Sequence, residues 1–384
     1  MPLINFYLGN RLKSRCNTPM IDFGSANGIL TINLEKLAAN YRVFQNKVGT
    51  NCDVAGVIKA DAYGLGLKQV SDQLKKLGCP LFLVATLDEA LELREYDSDT
   101  PIAVLGGLMN KTESTYVEHH ITPILNTPID IKNWNDYAAQ QHKNLKAILH
   151  CDTAMNRLGL STQETKDFVQ NRDLFNNIDI TMVMSHFACA DELDHPLTTQ
   201  QAERFDTVAQ SFPNAQKSLA NSSGLFRNPQ YHYDMVRPGY SLYGGNPTPE
   251  TTNPMQNVVT LHSRILQIRE CKKGQSIGYG ATHEFNKDTR TATLALGYAD
   301  GFLRSNSAKA VVYYEGQPCP VLGRVSMDLV SIDISHIKEK QPQQGEAIEI
   351  LGDHQTVDDL ANSAGTIGYE ILTSLGKRYK RRYI

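Results

Sequence analysis

Lys59 follows the apolar pair Val57-Ile58. A lysine at the edge of a buried strand loses hydration, which favours its neutral amine, and a neutral amine can form an imine with an aldehyde. Lys59 alone reads equally well as a side chain that snorkels to solvent. The residues after it carry more weight: Asp61-Ala62-Tyr63-Gly64-Leu65-Gly66 sets two glycines and a tyrosine on a flexible rim able to approach a phosphate ester. Further along stand His150, Asp152 and Arg157, then Ser185-His186, then Asn221-Ser222-Ser223-Gly224, then Arg237-Pro238-Gly239. Short loops with glycine and hydroxyls bind anions through their N–H groups, although turn chemistry explains any one of them. Three such loops facing a lysine point to a phosphorylated aldehyde, and so to pyridoxal phosphate as cofactor. Arg237 facing the ring would leave a pyridine nitrogen unprotonated, because arginine does not readily give up its proton.

These residues share a rim only if the chain folds so that they do. Leu34, Leu37, Ala38, Tyr41, Phe44 and Val48 fall at helical spacing, and the unalternating run Val54–Ile58 reads as a buried parallel strand. Further strands are expected at Leu81–Ala85, Ile102–Leu105, Pro123–Leu125, Ala147–Leu149, Thr181–Met184, Ser218–Leu219 and Met235–Val236, with helices such as Leu67–Leu77, Leu87–Tyr96 and Thr199–Phe212 between them. Strands alternating with helices in this number argue for an N-terminal (β/α)8 TIM-like barrel, whose chemistry sits past the C-terminal ends of the strands. Lys59, His150, His186, Asn221 and Arg237 each lie at such an end. An open doubly wound sheet would want a Gly-x-Gly-x-x-Gly turn after a strand, and none is found.

After Leu261 the rhythm changes. Ser263–Arg269, Thr291–Leu296, Ala310–Tyr314, Leu329–Ile334 and Ala347–Leu351 read as successive strands, a mainly antiparallel C-terminal β domain. Val357–Ala364 and Glu370–Tyr379 read as helices, and the basic finish Lys377 to Arg382 as a solvated last turn. The expected division is a tail at 1–30, partly associated with the β domain, a barrel at 31–262 and the β domain at 263–384.

Composition narrows the function. The 384 residues carry 38 Lys+Arg against 41 Asp+Glu, without the basic excess of a dedicated nucleic-acid binder. No apolar run nears the ~18–20 residues that span a bilayer. Seven cysteines, widely spread and without Cys-x-x-Cys, argue against a disulfide framework or zinc cluster and fit a reducing cytoplasm. Arg11, Lys13 and Arg15 precede no apolar core of a signal peptide and read as a basic tail.

Val57-Ile58-Lys59-Ala60-Asp61-Ala62-Tyr63-Gly64 resembles the cofactor-lysine signature of alanine racemases. The resemblance continues, in order, through Asp152–Gly159, Ser185–Ala188, Ala220-Asn221-Ser222, Val236–Gly239, Gly297–Gly301, Gly323–Asp328 and Gly368-Tyr369-Glu370, over roughly residues 30–384. It implies an isomerase that binds pyridoxal phosphate and works as a head-to-tail homodimer on L- and D-alanine, supplying D-alanine for peptidoglycan. Lys59 would hold the cofactor as an imine and act as base on the D face. Tyr298 of the partner subunit would be the base on the L face. Arg157 would contact the cofactor's phenolic oxygen and the substrate carboxylate, the latter with help from the Met327 backbone. Arg237 would pair with the ring nitrogen, and His186 would link it to Tyr298. Tyr63, Asn221, Ser222, Gly239, Tyr240 and Tyr369 would surround the cofactor, most of them at its phosphate.

Two positions depart from the family. His150 stands where many members have a lysine, often carbamylated, that orients Arg157. Ala154 stands where the family usually has glycine. Among rival readings, a non-catalytic cofactor carrier would need neither the second domain nor the Tyr298 motif. A decarboxylase of this fold favours an acidic partner at the ring nitrogen, against Arg237. A racemase for serine, lysine or arginine fits the same motifs.

Overall fold

In the computed structural model, which describes residues 21–384, the chain begins with β1 (Gly28–Ile32) and a helix at Leu34–Val48. Asn33 caps that helix by accepting the Lys36 amide at 2.8 Å, and Leu37, Ala38, Tyr41 and Phe44 form its buried stripe. The barrel strands come next: β2 (Asp53–Val54), β3 (Gly56–Val57), β4 (Phe82–Val84), β5 (Ile102–Val104), β6 (Ile121–Leu125), β7 (Leu145–His150), β8 (Ile178–Met184), β9 (Gln216–Ser218) and β10 (Met235–Val236).

β3 to β9 form one parallel sheet in chain order, and β10 pairs in parallel with β2. Backbone bonds close the ring. On one side Asp234 donates to Lys217 at 3.1 Å and Arg237 to Ala220 at 2.9 Å. On the other Ala55 donates to Val236 at 2.9 Å and Val57 to Pro238 at 3.1 Å. Phe82, Leu83, Val84, Ile102, Ala103, Ile124, Leu149 and Val183 are buried, the expected filling of a parallel barrel.

The second sheet comprises β11 (Val259–Cys271), the small hairpin β12 (Ser276–Ile277) and β13 (His283–Glu284) beside it, then β14 (Thr289–Leu294), β15 (Val311–Tyr314), β16 (Gln317–Leu322), β17 (Val330–Asp333), β18 (Ala347–Leu351) and β19 (Lys380–Tyr383). Its order is β14-β17-β16-β15-β18-β11, and β11 pairs back onto β14, so six antiparallel strands close on themselves. β1 and β19 extend this sheet from β11.

The last element departs from the sequence expectation. The helix near Glu370 spans Gly368–Thr373 only, and Lys380–Tyr383 is a strand running parallel to β1. The Gly376 amide turns away to Asp300 O at 3.1 Å, and the Ile384 amide bonds Ile32 O at 3.0 Å, so the basic finish is spent on a sheet edge rather than a helical turn. β16 is masked in the sequence by Pro318 and Pro320, which demote a strand. Both prolines face β15, at Tyr313 and Val311, while Val321 and Leu322 pair with β17. The expected association of the first thirty residues with the second domain lies outside the described residues for positions 1–20; Gly28–Ile32 does pair there. Among the described residues no helix is long and apolar enough to cross a membrane.

Candidate functional site

Lys59 leaves β3 at the C-terminal rim of the barrel, half-buried. Burial, then the charge of Arg157, lowers its amine pKa, with Glu89 opposing. The next four residues form a left-handed turn: φ is 54° at Ala60 and Asp61, 50° at Ala62 and 57° at Tyr63. Each costs about 1–2 kcal/mol, so the surroundings must enforce it. Glu89 does so from the helix Leu87–Tyr96, accepting the amides of Ala60 at 2.7 Å and Ala85 at 2.6 Å. Asp61 accepts the Leu67 amide at 2.6 Å, and Arg381 from β19 donates to Gly64 O at 3.0 Å. Gly64 itself sits at φ 79°, and a Cβ there would lie 2.6 Å from Leu372 O.

Beside this turn lies a cradle. Ser222 Oγ accepts the Gly239 amide at 3.1 Å, and Asn221 Oδ1 accepts the Gly224 amide at 2.9 Å. A Cβ on Gly239 would come within 2.5 Å of the Tyr63 hydroxyl, so the glycine lets the tyrosine approach the loop backbone. Tyr63 is buried, 4.9 Å from the Tyr243 ring and 6.1 Å from Tyr369. Tyr369 stacks on Tyr240 at 4.1 Å and 17°. The Tyr240 hydroxyl donates to Asp358 Oδ1 at 2.5 Å, so what Tyr240 offers the cradle is its backbone and ring, not its hydroxyl.

Arg237 is buried at 3% exposure, and among the described residues its hydrogen-bond partners include no carboxylate. Its guanidinium donates to Ser218 Oγ at 2.5 Å, Ser185 O at 2.5 Å and Leu219 O at 3.4 Å, and meets His186 Nδ1 at 3.4 Å. Burial lowers its pKa to about 10, which leaves it charged near neutrality. His186 is held well below the usual imidazole range by burial and by Arg237 and Arg157. A neutral His186 accepting at Nδ1 carries its proton on Nε2, the nitrogen free to reach further.

His150 is tied differently. Asn126 donates through Nδ2 to Leu105 O at 3.1 Å, which turns its Oδ1 to His150 Nδ1, 2.8 Å away. His150 therefore donates at Nδ1 and keeps a lone pair on Nε2. Burial, then Arg237, lowers its pKa to about 4. Arg157 is exposed, and no hydrogen bond reaches its guanidinium among the described residues. Ala154 is strained at φ 108°, a region that suits glycine, so its methyl group is a larger departure than its size suggests.

Tyr298 and Met327 belong to another cluster. Tyr298 N donates to Ser326 O and Ala299 N to Met327 O, both at 3.0 Å. A Cβ on Gly297 would strike the Ser326 and Met327 carbonyl oxygens at 2.3 Å. Asp300 accepts the Gly297 amide at 3.0 Å and Arg378 Nε at 2.7 Å, which braces the turn. Tyr298 is 42% exposed and Met327 54%, and among the described residues no hydrogen bond or ring contact joins either to Lys59, Arg157, His186 or Arg237. One chain thus assembles Lys59, Arg157, His186, Arg237, Tyr63, Asn221, Ser222, Gly239, Tyr240 and Tyr369 on one rim and presents Tyr298 and Met327 separately. Glu89, Asp358, Asn126 and Arg381 are not anticipated by the sequence motifs. Only Glu89 carries a signal, the capping-box spacing Thr86-x-x-Glu89, and its reach to Ala60 is not in that spacing.

The rim fits a phosphorylated pyridine aldehyde. It offers an amine with a lowered pKa, the hydroxyls of Tyr63, Ser222 and Tyr369 as phosphate donors beside the close-approach glycine Gly239, and a buried cation with no counter-ion among the described residues. The family model described as Alanine racemase, N-terminal domain, matches residues 32–247, and that described as Alanine racemase, C-terminal domain, matches residues 258–383. This chain belongs to the alanine racemase family. An alanine racemase of Rhodospirillum rubrum is 42% identical over 93% of this chain and 96% of its own length. A catabolic alanine racemase of Mesorhizobium japonicum is 42% identical over 94% of each chain. The crystal structure of alanine racemase from Bartonella henselae, with covalently bound pyridoxal phosphate, superposes with a TM-score of 0.90 at 36% identity, covering 94% of this chain and all of that one.

Proposed function

We propose that this chain interconverts L-alanine and D-alanine with pyridoxal phosphate held at Lys59, as a homodimer whose sites take residues from both subunits. The observation that carries the reading is Arg237: a buried guanidinium hydrogen-bonded to hydroxyl, carbonyls and imidazole and, among the described residues, to no acid. A buried charge without a partner is expensive, and an unprotonated ring nitrogen accepting from it would relieve that cost. Tyr63, Ser222, Gly239 and Tyr369 would hold the phosphate. The bound cofactor would supply an electron sink that acidifies the substrate Cα–H.

The chain's own groups do the rest. Arg157 lies beside Lys59 and would anchor the substrate carboxylate, aided by the backbone at Met327 of the partner subunit. Lys59, its amine favoured in the neutral form, would take or return a proton on the D face. Tyr298 of the partner subunit would do so on the L face, with His186 Nε2 as its link to Arg237. Arg237 would keep charge from accumulating on the ring, which restrains side reactions. Racemisation needs a base on each face, and the exposure of Tyr298 away from Lys59 supports delivery of the second base by a partner chain.

Supply of D-alanine for peptidoglycan is the role we assign. The Mesorhizobium japonicum relative carries the name catabolic, and D-alanine auxotrophy of a deletion strain would separate the two roles. The chemistry is tested by incubating L-alanine with the protein and cofactor in D2O. α-Deuterated D-alanine, abolished by Lys59→Ala, supports the reading. Unlabelled L-alanine from cofactor-loaded protein would overturn it, and turnover of serine or lysine instead would reassign the substrate.

A further inference from the structure

We propose that Cys189, Glu192 and His195 form a binding site for one divalent cation of the borderline-soft class, with zinc as the type. The three lie on the loop that leaves β8, three residues apart, and one ligand atom from each falls within 4.8 Å of the others. Thiolate, carboxylate and imidazole together are a donor set that suits Zn2+ and its neighbours rather than Ca2+ or Mg2+. Tetrahedral geometry at ordinary Zn–N and Zn–S lengths wants ligand atoms roughly 3.4–3.8 Å apart, so a small closure of the side chains seats an ion. Three protein ligands would leave a fourth position to water.

The loop is held in shape by contacts of the triad's own backbone and ring and by Arg227. Glu192 N donates to Cys189 O at 3.1 Å, closing the first turn. Leu197 N donates to His195 Nδ1 at 3.2 Å and places the imidazole at the start of the helix Pro196–Gln210. This tautomer carries its proton on Nε2, so a cation would bind by displacing the Leu197 N–H from Nδ1 or the proton from Nε2. Arg227 donates to Ala190 O at 2.6 Å and Asp191 O at 2.8 Å, and is itself paired with Glu250. Asp191 adds negative charge, and the same charge reaches Tyr369 at the cradle. An ion here would sit on the rim of the candidate site, three residues from His186. Binding converts the Cys189 thiol to thiolate, with its proton passing to buffer. A search for paired cysteines misses this site, because only one ligand is a cysteine. The site does not depend on the racemase reading.

Cd2+ is the probe, titrated into the cofactor-loaded protein and followed by thiolate-to-metal absorption. The expected result is a band that saturates at one equivalent, disappears in Cys189→Ser, and needs at least about tenfold more Cd2+ in Glu192→Gln and in His195→Gln. Zn2+ should displace the band. Persistence of the band in Cys189→Ser would place the metal on another cysteine and overturn the proposal. So would an unchanged affinity in both Glu192→Gln and His195→Gln, which would mean capture by a single thiol.

Discussion

His150 occupies a position surrounded by cations. Arg237 lies just past β10, Arg157 on the loop after β7 with Asp152 as the one opposing carboxylate, and His186 just past β8, with Lys59 near His186. Only a neutral imidazole is tolerable there, and the Leu105–Asn126–His150 chain leaves its lone pair on Nε2, from which it would accept from the Arg157 guanidinium once that side chain is ordered on substrate. Because the folded pKa is lowered to about 4 while the unfolded chain titrates near 6.5, the unfolded state binds more protons between those values. Stability should therefore fall as pH drops from 6.5 toward 4, and chemical denaturation at pH 7 and pH 5 would show it. Asn126→Asp should raise the His150 pKa by placing a carboxylate on Nδ1. Its KM for alanine should then climb as pH falls from 8 to 6, while that of the parent enzyme stays flat over the same range; an equal rise in both would deny His150 any part in positioning Arg157. Ala154 carries a separate prediction. Ala154→Gly relieves φ 108° and should stabilise by about 1 kcal/mol net of the glycine entropy cost, raising Tm by about 2–4 °C in calorimetry.

At the scale of elements, the rim depends on backbone that no side chain could replace. Gly239→Ala would drive a methyl group to 2.5 Å from the Tyr63 hydroxyl. Overpacking of that kind costs about 1–3 kcal/mol, so cofactor release on dialysis should be about tenfold easier or more, with the far-UV spectrum unchanged. Retention equal to that of the parent protein would remove Gly239 from the cradle. The elements themselves are largely legible in the sequence. Buried strands such as Phe82–Val84 and helices such as Leu87–Tyr96 follow directly from apolar runs and 3.6-residue spacing. The left-handed turn Ala60–Tyr63 is not, because its conformation is imposed by Glu89 and Arg381 from two other elements, with Asp61 of the turn itself bonding the Leu67 amide. β19 is not legible either: Lys380-Arg381-Arg382-Tyr383 has no apolar alternation, and its strand character comes from β1, distant in sequence. Tyr240 belongs to the cradle by its motif, but the partner of its hydroxyl, Asp358, lies 118 residues away.

At the scale of the molecule, the barrel and the β domain divide the chemistry. The rim of one chain holds Lys59, Arg157, His186 and Arg237, and the β domain presents Tyr298 and Met327 on an exposed turn braced by Arg378. Motif order carries the family, but nothing in spacing says whether the two sets come from one copy or two. The proposed two-base racemisation at a shared site requires two. Lys59→Ala and Tyr298→Phe should each leave less than about one hundredth of the activity, since general acid–base groups contribute about 10²–10⁴-fold. The most direct measurement mixes these two variants, exchanges their subunits, and assays the heterodimer. One of its two sites then carries both substitutions and the other neither, so racemisation should return to about half that of the parent dimer. Heterodimers that form but stay as inactive as either variant would contradict the shared site.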